Sequence, residues 1–395
     1  MTELERAAGP GRIRGIALEL WGAAVATPER AGATLRQGLR AARALHSAER
    51  RLVQDALYGL IRRQRLLEAL ASPDPLDLWL GWLVLEAGLP PERAAAERPG
   101  DWATLAARAG AVPADAAGLA LRHSLPEPVA ARLVAQLGAE APAFLAASDA
   151  RAPVTLRANR RKGPPAALVR RLAAEGVATR PVDGVADALE VVGRANLEGS
   201  RAFRDGAFEV QDAASQRVAA LVADGPVLDA CAGAGGKALA LAARGLDVVA
   251  LDVRQRALDE LARRAKRAGT PVRAQCVAAD AWPAELPRFP WVLLDAPCTG
   301  SGVLRRHPEH RWQLGEAAIA ARAATQRGLL SRAAAQVLPG GHLVYATCSV
   351  LRDEDEDVVE AFLAAHPGWA LDRTLRTWPH LDGGDGFYAA VLRAP

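Results

Sequence analysis

From Leu221 onward the chain alternates short apolar runs with apolar helical stretches, and this rhythm limits the fold more than any other feature. The runs are Val227–Ala230, Val248–Leu251, Val272–Val277, Trp291–Leu294 and His342–Ala346. Helical stretches such as Ala238–Ala243 and Ala318–Leu338 separate them. Alternating strand and helix with buried strands predicts a mainly parallel, doubly wound sheet. A last apolar pair, near Trp369 and at Phe387–Val391, is expected to close the sheet as a hairpin.

The preceding residues read differently. Residues 1–145 predict an all-α domain. Ile13, Ile16, Leu20 and Ala24 share one helical face, as do Leu52, Ala56, Leu60 and Ile61. Breakers fall at Ser72-Pro73-Asp74-Pro75 and Leu89-Pro90-Pro91. Residues 146–220 predict a small α+β domain. Its strands are expected at Pro153–Arg157, Val177–Arg180, Ala188–Val192 and Ala207–Gln211, with a helix over Pro164–Ala174. The formal charge of +4 comes from this middle region: residues 151–220 hold 12 basic and 8 acidic side chains, whereas both flanks balance. Arg157, Arg160, Arg161, Lys162, Arg170 and Arg171 make a patch suited to a polyanion, most simply nucleic acid.

Several classes are excluded by pattern. No stretch approaches the ~18 unbroken apolar residues of a membrane span. The start, Met1 to Arg6, lacks the layout of a secretory signal. The expectation is a cytoplasmic protein with no membrane partner. Cys231, Cys276, Cys298 and Cys348 contain no CxxC pair, so neither a disulfide framework nor a metal site is expected. His307 and His310 lack the further ligands a metal needs.

The chemistry lies at predicted strand ends. After Val227-Leu228-Asp229-Ala230 comes Cys231-Ala232-Gly233-Ala234-Gly235-Gly236-Lys237, a glycine-rich turn opening a helix. Such a turn lets backbone approach a ligand closely and suits a dinucleotide or S-adenosylmethionine. The glycines do not follow G-x-G-x-x-G, which weakens the dinucleotide option. Asp252, Asp280 and Asp295 then end three successive strands, where open α/β sheets bind ligands. Asp252 is placed to accept ribose hydroxyls and Asp280 the adenine amino group. Two cysteines follow the same edge, in Asp295-Ala296-Pro297-Cys298-Thr299-Gly300-Ser301-Gly302 and Tyr345-Ala346-Thr347-Cys348-Ser349. A thiolate beside a methyl donor suits methylation at carbon 5 of a pyrimidine, because adding sulfur to carbon 6 makes carbon 5 nucleophilic. Asp295 is placed to hydrogen-bond the cytosine ring nitrogen or amine. Chemistry alone leaves open which cysteine attacks and which manages the proton or releases the adduct.

These motifs resemble those of the ribosomal-RNA small-subunit cytosine-C5 methyltransferases of the Sun/Nop family, in particular members with a NusB-like N-terminal domain. The resemblance rests on Asp295-Ala296-Pro297-Cys298 with Gly302-Val303-Leu304-Arg305-Arg306-His307-Pro308-Glu309, and on Ala346-Thr347-Cys348-Ser349-Val350-Leu351. Arg50 to Gln54, Tyr58 to Arg62, Gln211 to Ser215 and Asp385 to Ala390 also look family-like. It implies a NusB-like helical RNA-binding domain over 1–145, a basic RNA-positioning domain over 146–220, and a Rossmann-like methyltransferase domain over 221–395. It implies Cys348 as nucleophile, Cys298 as the residue assisting release, and S-adenosylmethionine held by Cys231 to Lys237 with Asp252, Asp280 and Asp295. The implied substrate is a cytosine in 16S rRNA and the expected state a monomer. The rivals are tRNA or DNA cytosine-C5 methylation, or a non-catalytic NusB-type RNA-binding factor.

The chain departs from the family where Ala234 stands for proline and Ala238 for threonine. Asp353 to Asp357 reads as acids favouring the start of a helix over Asp353–Ala364. Arg305, Arg306 and Arg311 read as phosphate contacts, Arg62, Arg63 and Arg65 as further RNA contacts, and Arg263, Arg264, Lys266 and Arg267 as a solvated helix face. Trp312 reads as core.

Overall fold

The computed structural model describes every residue except Met1, Asp280 and Ala284. The chain forms two compact units: residues 1–150 with Val303–Ala318, and Arg151–Gly302 with Ile319–Pro395.

The first unit is helical among its described residues. Asp74 caps the helix Pro75–Leu85 by accepting from the Leu76 N–H, and Pro75 occupies the first turn, where its missing N–H costs nothing. That helix and Ser47–Leu70 supply much of the core, with Leu57, Leu60, Ile61, Leu67, Trp79 and Leu83 essentially inaccessible to solvent. The buried indole of Trp79 donates to the Ala7 carbonyl at 2.9 Å. In the helix Arg12–Val25 the buried face is Ile13, Ala17, Trp21 and Ala24; Ile16 and Leu20 are only partly buried. The face turns toward Trp21 because the large indole packs edge-on against Trp312, 5.6 Å between ring centres.

Arg311 is enclosed in this unit. Its guanidinium donates to Asp149 at 2.6 Å and to the carbonyls of His123, Leu304 and Ser148. Its side chain has no exposed surface, so it is not a phosphate contact. Arg62 donates to the Arg305 carbonyl, and Arg63 pairs with Glu86 and Asp149. These arginines hold helices together. A guanidinium spends its five donors on carbonyls and carboxylates when packing offers them.

The second unit carries two sheets. The smaller contains β1 (Thr155–Ala158), β2 (Thr179–Val182), β3 (Val185–Val191) and β4 (Phe208–Val210), in the order β2-β3-β1-β4, with every pair antiparallel. Leu156, Leu168, Leu172, Leu189 and Phe208 fill its core. It packs against the larger sheet's helix Gln255–Ala268. Glu209 of β4, almost wholly buried, accepts from Arg264 at 3.0 Å and Arg267 at 2.5 Å. Asn159 donates to the carbonyls of Gly206 and Ala268. Arg264 and Arg267 are therefore part of a buried joint and not a solvated face.

The larger sheet contains β5 (Val227–Asp229), β6 (Val248–Asp252), β7 (Arg273–Cys276), β8 (Phe289–Asp295), β9 (Val337–Thr347), β10 (Ala370–Thr377) and β11 (Phe387–Arg393). Their order is β10-β11-β9-β8-β5-β6-β7. β5 to β9 pair in parallel, and β10–β11 add the antiparallel hairpin. The fold is thus a Rossmann-like α/β arrangement beside a small α+β sheet, in a chain with a separate helical unit. The winding reverses between β5 and β8, and the crevice at such a reversal is where open sheets take ligands.

Candidate active site

β5 runs into the glycine-rich turn. Gly233 and Gly235 adopt φ of +55° and +84°, and a Cβ at Gly235 would meet the Leu261 side chain at 2.6 Å. The backbone sign favours glycine at both positions, and the space at Gly235 as well. Asp252, at the end of β6, accepts from the Gly233 N–H at 2.7 Å and the Arg254 N–H at 2.9 Å. Against its burial, these bonds and the Arg254 guanidinium hold its carboxyl below the usual range. Ala234 contributes its carbonyl to Arg264 at 2.6 Å, so the loop is tied without the family's proline. Cys231 is largely enclosed, and burial, then Asp229, push its thiol up to about 12, which disfavours the thiolate. Asp280 lies outside the described residues.

Asp229 was not among the predicted site residues. It ends β5 almost completely buried, with neither carboxylate oxygen in a well-aligned hydrogen bond. Burial, then the neighbouring charge of Asp295, push its carboxyl up to about 7, against Lys237 and the Cys231 N–H. An orphaned buried acceptor beside a glycine turn fits a ligand that brings its own donors, such as the ammonium of an amino-acid moiety. The sequence reading ran this strand on to Ala230, which hid that Asp229 ends β5 as Asp252 ends β6 and Asp295 ends β8.

Asp295 is partly exposed and accepts from Lys237 Nζ at 2.6 Å. Lys237 is itself buried and sits 5.0 Å from the Phe387 ring centre. An ammonium-paired carboxylate accepts hydrogen bonds, so Asp295 suits the exocyclic amine of a base better than its ring nitrogen.

The two cysteine loops leave adjacent strands, β8 and β9, in the same direction. The structure brings Cys298 Sγ and Cys348 Sγ to 3.4 Å, and both are half-buried. The hydrogen bond to Cys348, with burial, pushes the Cys298 thiol well above its ordinary range. Gly302 ties the loops: its N–H donates to the Cys348 carbonyl at 3.0 Å and its own carbonyl accepts from Gly386 at 2.8 Å. Ser301 Oγ lies 2.9 Å from Ser349 Oγ and accepts from the Val350 N–H. Cys276 is exposed on β7 and takes no part in this cluster.

The acidic run corrects the sequence reading. Only Glu356 and Asp357 stand in the first turn of the helix, which spans Glu356–Ala365. Glu354 and Asp355 have no exposed surface. Asp355 accepts from Thr347 Oγ1 at 2.5 Å and pairs with Arg376 at 2.6 Å. Glu354 accepts from the Thr299 N–H and from Ser349 Oγ.

Known proteins extend this picture. A family described as 16S rRNA methyltransferase RsmB/F matches residues 218–393, and an RsmF/B-like ferredoxin-like domain matches residues 125–198. Ribosomal RNA small subunit methyltransferase B from two strains of Xylella fastidiosa is 37% identical over 289 residues. The match spans 68% of this chain and 66% or 68% of those relatives, about two thirds of their length. The crystal structure of PH0851 superposes with a TM-score of 0.80 at 24% identity, over 97% of this chain and 99% of that one. NSun6 from Pyrococcus horikoshii with SFG, an S-adenosylmethionine analogue, gives 0.61 at 19% identity, over 66% of this chain and 96% of that one. The two structures share the fold. The methyl donor of this family is S-adenosylmethionine, which the glycine turn and the orphaned Asp229 fit. With the glycine turn, the paired cysteine loops and these sequence matches together, the chain belongs to the RsmB/F family of 16S rRNA methyltransferases.

Proposed function

We propose that this protein methylates carbon 5 of a cytosine in small-subunit rRNA through a covalent cysteine–cytosine adduct. The observation that carries the reading is the 3.4 Å approach of Cys298 and Cys348 on the strand edge that also bears the glycine turn. A direct methyl transfer needs one binding site and no thiol. Two sulfurs in contact suit a reaction that both makes and breaks a bond to carbon 6.

In this scheme Cys348 Sγ adds to carbon 6, and the displaced π pair moves toward carbon 5 and the ring nitrogen. Asp295, held by Lys237, accepts from the exocyclic amine and fixes the base. S-adenosylmethionine supplies the electrophilic methyl group that carbon 5 takes up. Solvent water then takes the carbon-5 proton, the C–H electron pair re-forms the double bond between carbons 5 and 6, and the bond from Cys348 to carbon 6 breaks with its pair leaving on sulfur. Cys298, raised toward its thiol form, assists that release in this scheme by giving its proton to the departing Cys348 sulfur.

Residues 231–237 with Asp229, Asp252, Asp280 and Asp295 are assigned to the methyl donor. The helical region 1–145 and the basic region 146–220 are assigned to holding the RNA, with the chain acting as a monomer on a base already splayed from its stack. The test is incubation of the protein and labelled S-adenosylmethionine with unmodified small-subunit rRNA. The expected product is 5-methylcytosine at one position; label on another atom, or none, refutes the proposal.

A further inference from the structure

The sheet places the ends of β8 and β9, but the loops beyond them leave the ladder before reaching the sulfurs. A side chain from outside both loops joins them. Glu354 accepts at one carboxylate oxygen from the Thr299 N–H at 2.8 Å and Gln326 Nε2 at 3.2 Å. At the other it accepts from Thr299 Oγ1 at 2.5 Å and Ser349 Oγ at 2.7 Å. Thr299 follows Cys298, and Ser349 follows Cys348.

Enclosing a carboxylate is costly unless donors meet its lone pairs, and four donors saturate roughly the four sites it has. The backbone of Glu354 is fixed as well, since its carbonyl accepts from the buried Tyr345 hydroxyl at 2.5 Å. A solvated helix start requires none of this.

We infer, on the reaction proposed above, that Glu354 is a positioning residue that sets the placement of the two sulfurs by clamping both cysteine loops on one carboxylate. The clamp joins the loops that bring Cys298 and Cys348 to 3.4 Å. Its charge also bears on Cys298. It adds to the Cys348 hydrogen bond and to burial in pushing the Cys298 thiol up. Cys298 thus stays protonated for release.

The test is Glu354→Gln, which keeps the shape and removes the charge; the two hydroxyls facing it can rotate to accept from the new amide. Iodoacetamide labelling of Cys298 and Cys348 is followed by mass spectrometry across the thiol titration range, beside kcat and KM. The wild type is expected to label Cys348 ahead of Cys298. In Glu354→Gln the ratio is expected to move toward Cys298, because the negative charge that disfavours its thiolate is gone. The kcat is expected to fall with the KM for S-adenosylmethionine nearly unchanged. An unchanged labelling ratio, or wild-type kcat, overturns the inference. Should Glu354→Gln not fold, Ser349→Ala and Thr299→Val each remove one donor and are read against the same two outcomes. Labelling needs no RNA, so it stands apart from the wild-type methylation assay, whose failure would sink the reaction itself.

Discussion

Asp229 occupies an uncomfortable position for a carboxyl: buried, poorly hydrogen-bonded and beside Asp295. Its folded-state pKa is raised to about 7, so the native state holds the proton that the unfolded chain gives up near pH 4. Stability is therefore unaffected below about pH 4, is lost as pH rises toward 7, and is level above that. Asp229→Asn removes this loss. Its stability relative to wild type is expected to rise between those limits by on the order of 4 kcal/mol. Urea denaturation at a series of pH values measures it; parallel curves would refute the assignment. Single residues were unevenly legible. Cys298 and Cys348 stood out because each follows an apolar run that ends at the ligand edge. Glu354 did not, because a run of five acids reads as solvated whatever lies behind it, and its donors sit 5, 28 and 55 positions away. Arg311 misled for the same reason. Its partners Asp149 and His123 lie more than 160 positions off, and no local pattern marks an arginine as buried.

Among elements, the parallel strands were plain from apolar runs alone, and the edges were not. The strand expected at Val177–Arg180 lies at Thr179–Val182 and includes Pro181, which the outermost position of the small sheet tolerates. β9 begins at Val337, where helix was expected to persist to Leu338. The helix instead ends at Ala334, and Pro339-Gly340-Gly341 lie within the strand. One contact between the cysteine loops is backbone on backbone at Gly302. A Cβ there would stand 2.1 Å from the Gly386 carbonyl oxygen and 2.9 Å from that of Cys348. Gly302→Ala is expected to destabilise the fold by about 1–3 kcal/mol, as overpacking does, and to cut kcat at least as steeply. Chemical denaturation beside the methylation assay reads both. Wild-type stability and rate together would mean the loops are not held through this glycine.

At the scale of the whole molecule, the basic excess of residues 151–220 separates into two kinds of side chain. Arg157 is buried against Gln211, and burial lowers its pKa to about 10. Arg160, Arg161, Lys162 and Arg170 are exposed. Only the exposed group can release counterions from RNA. Lys162→Ala/Arg170→Ala is expected to weaken RNA binding and to flatten the slope of log affinity against log salt by about 1–2, with kcat at saturating RNA retained. An unchanged slope would place the RNA elsewhere. The central claim is that the two touching sulfurs have different tasks in one covalent cycle. Denaturing gels of enzyme incubated with end-labelled rRNA and S-adenosylmethionine test it most directly. Cys298→Ala is expected to accumulate a protein–RNA band that survives denaturation, and Cys348→Ala to form neither that band nor product. A stable band from Cys348→Ala, or turnover by it, would contradict the account.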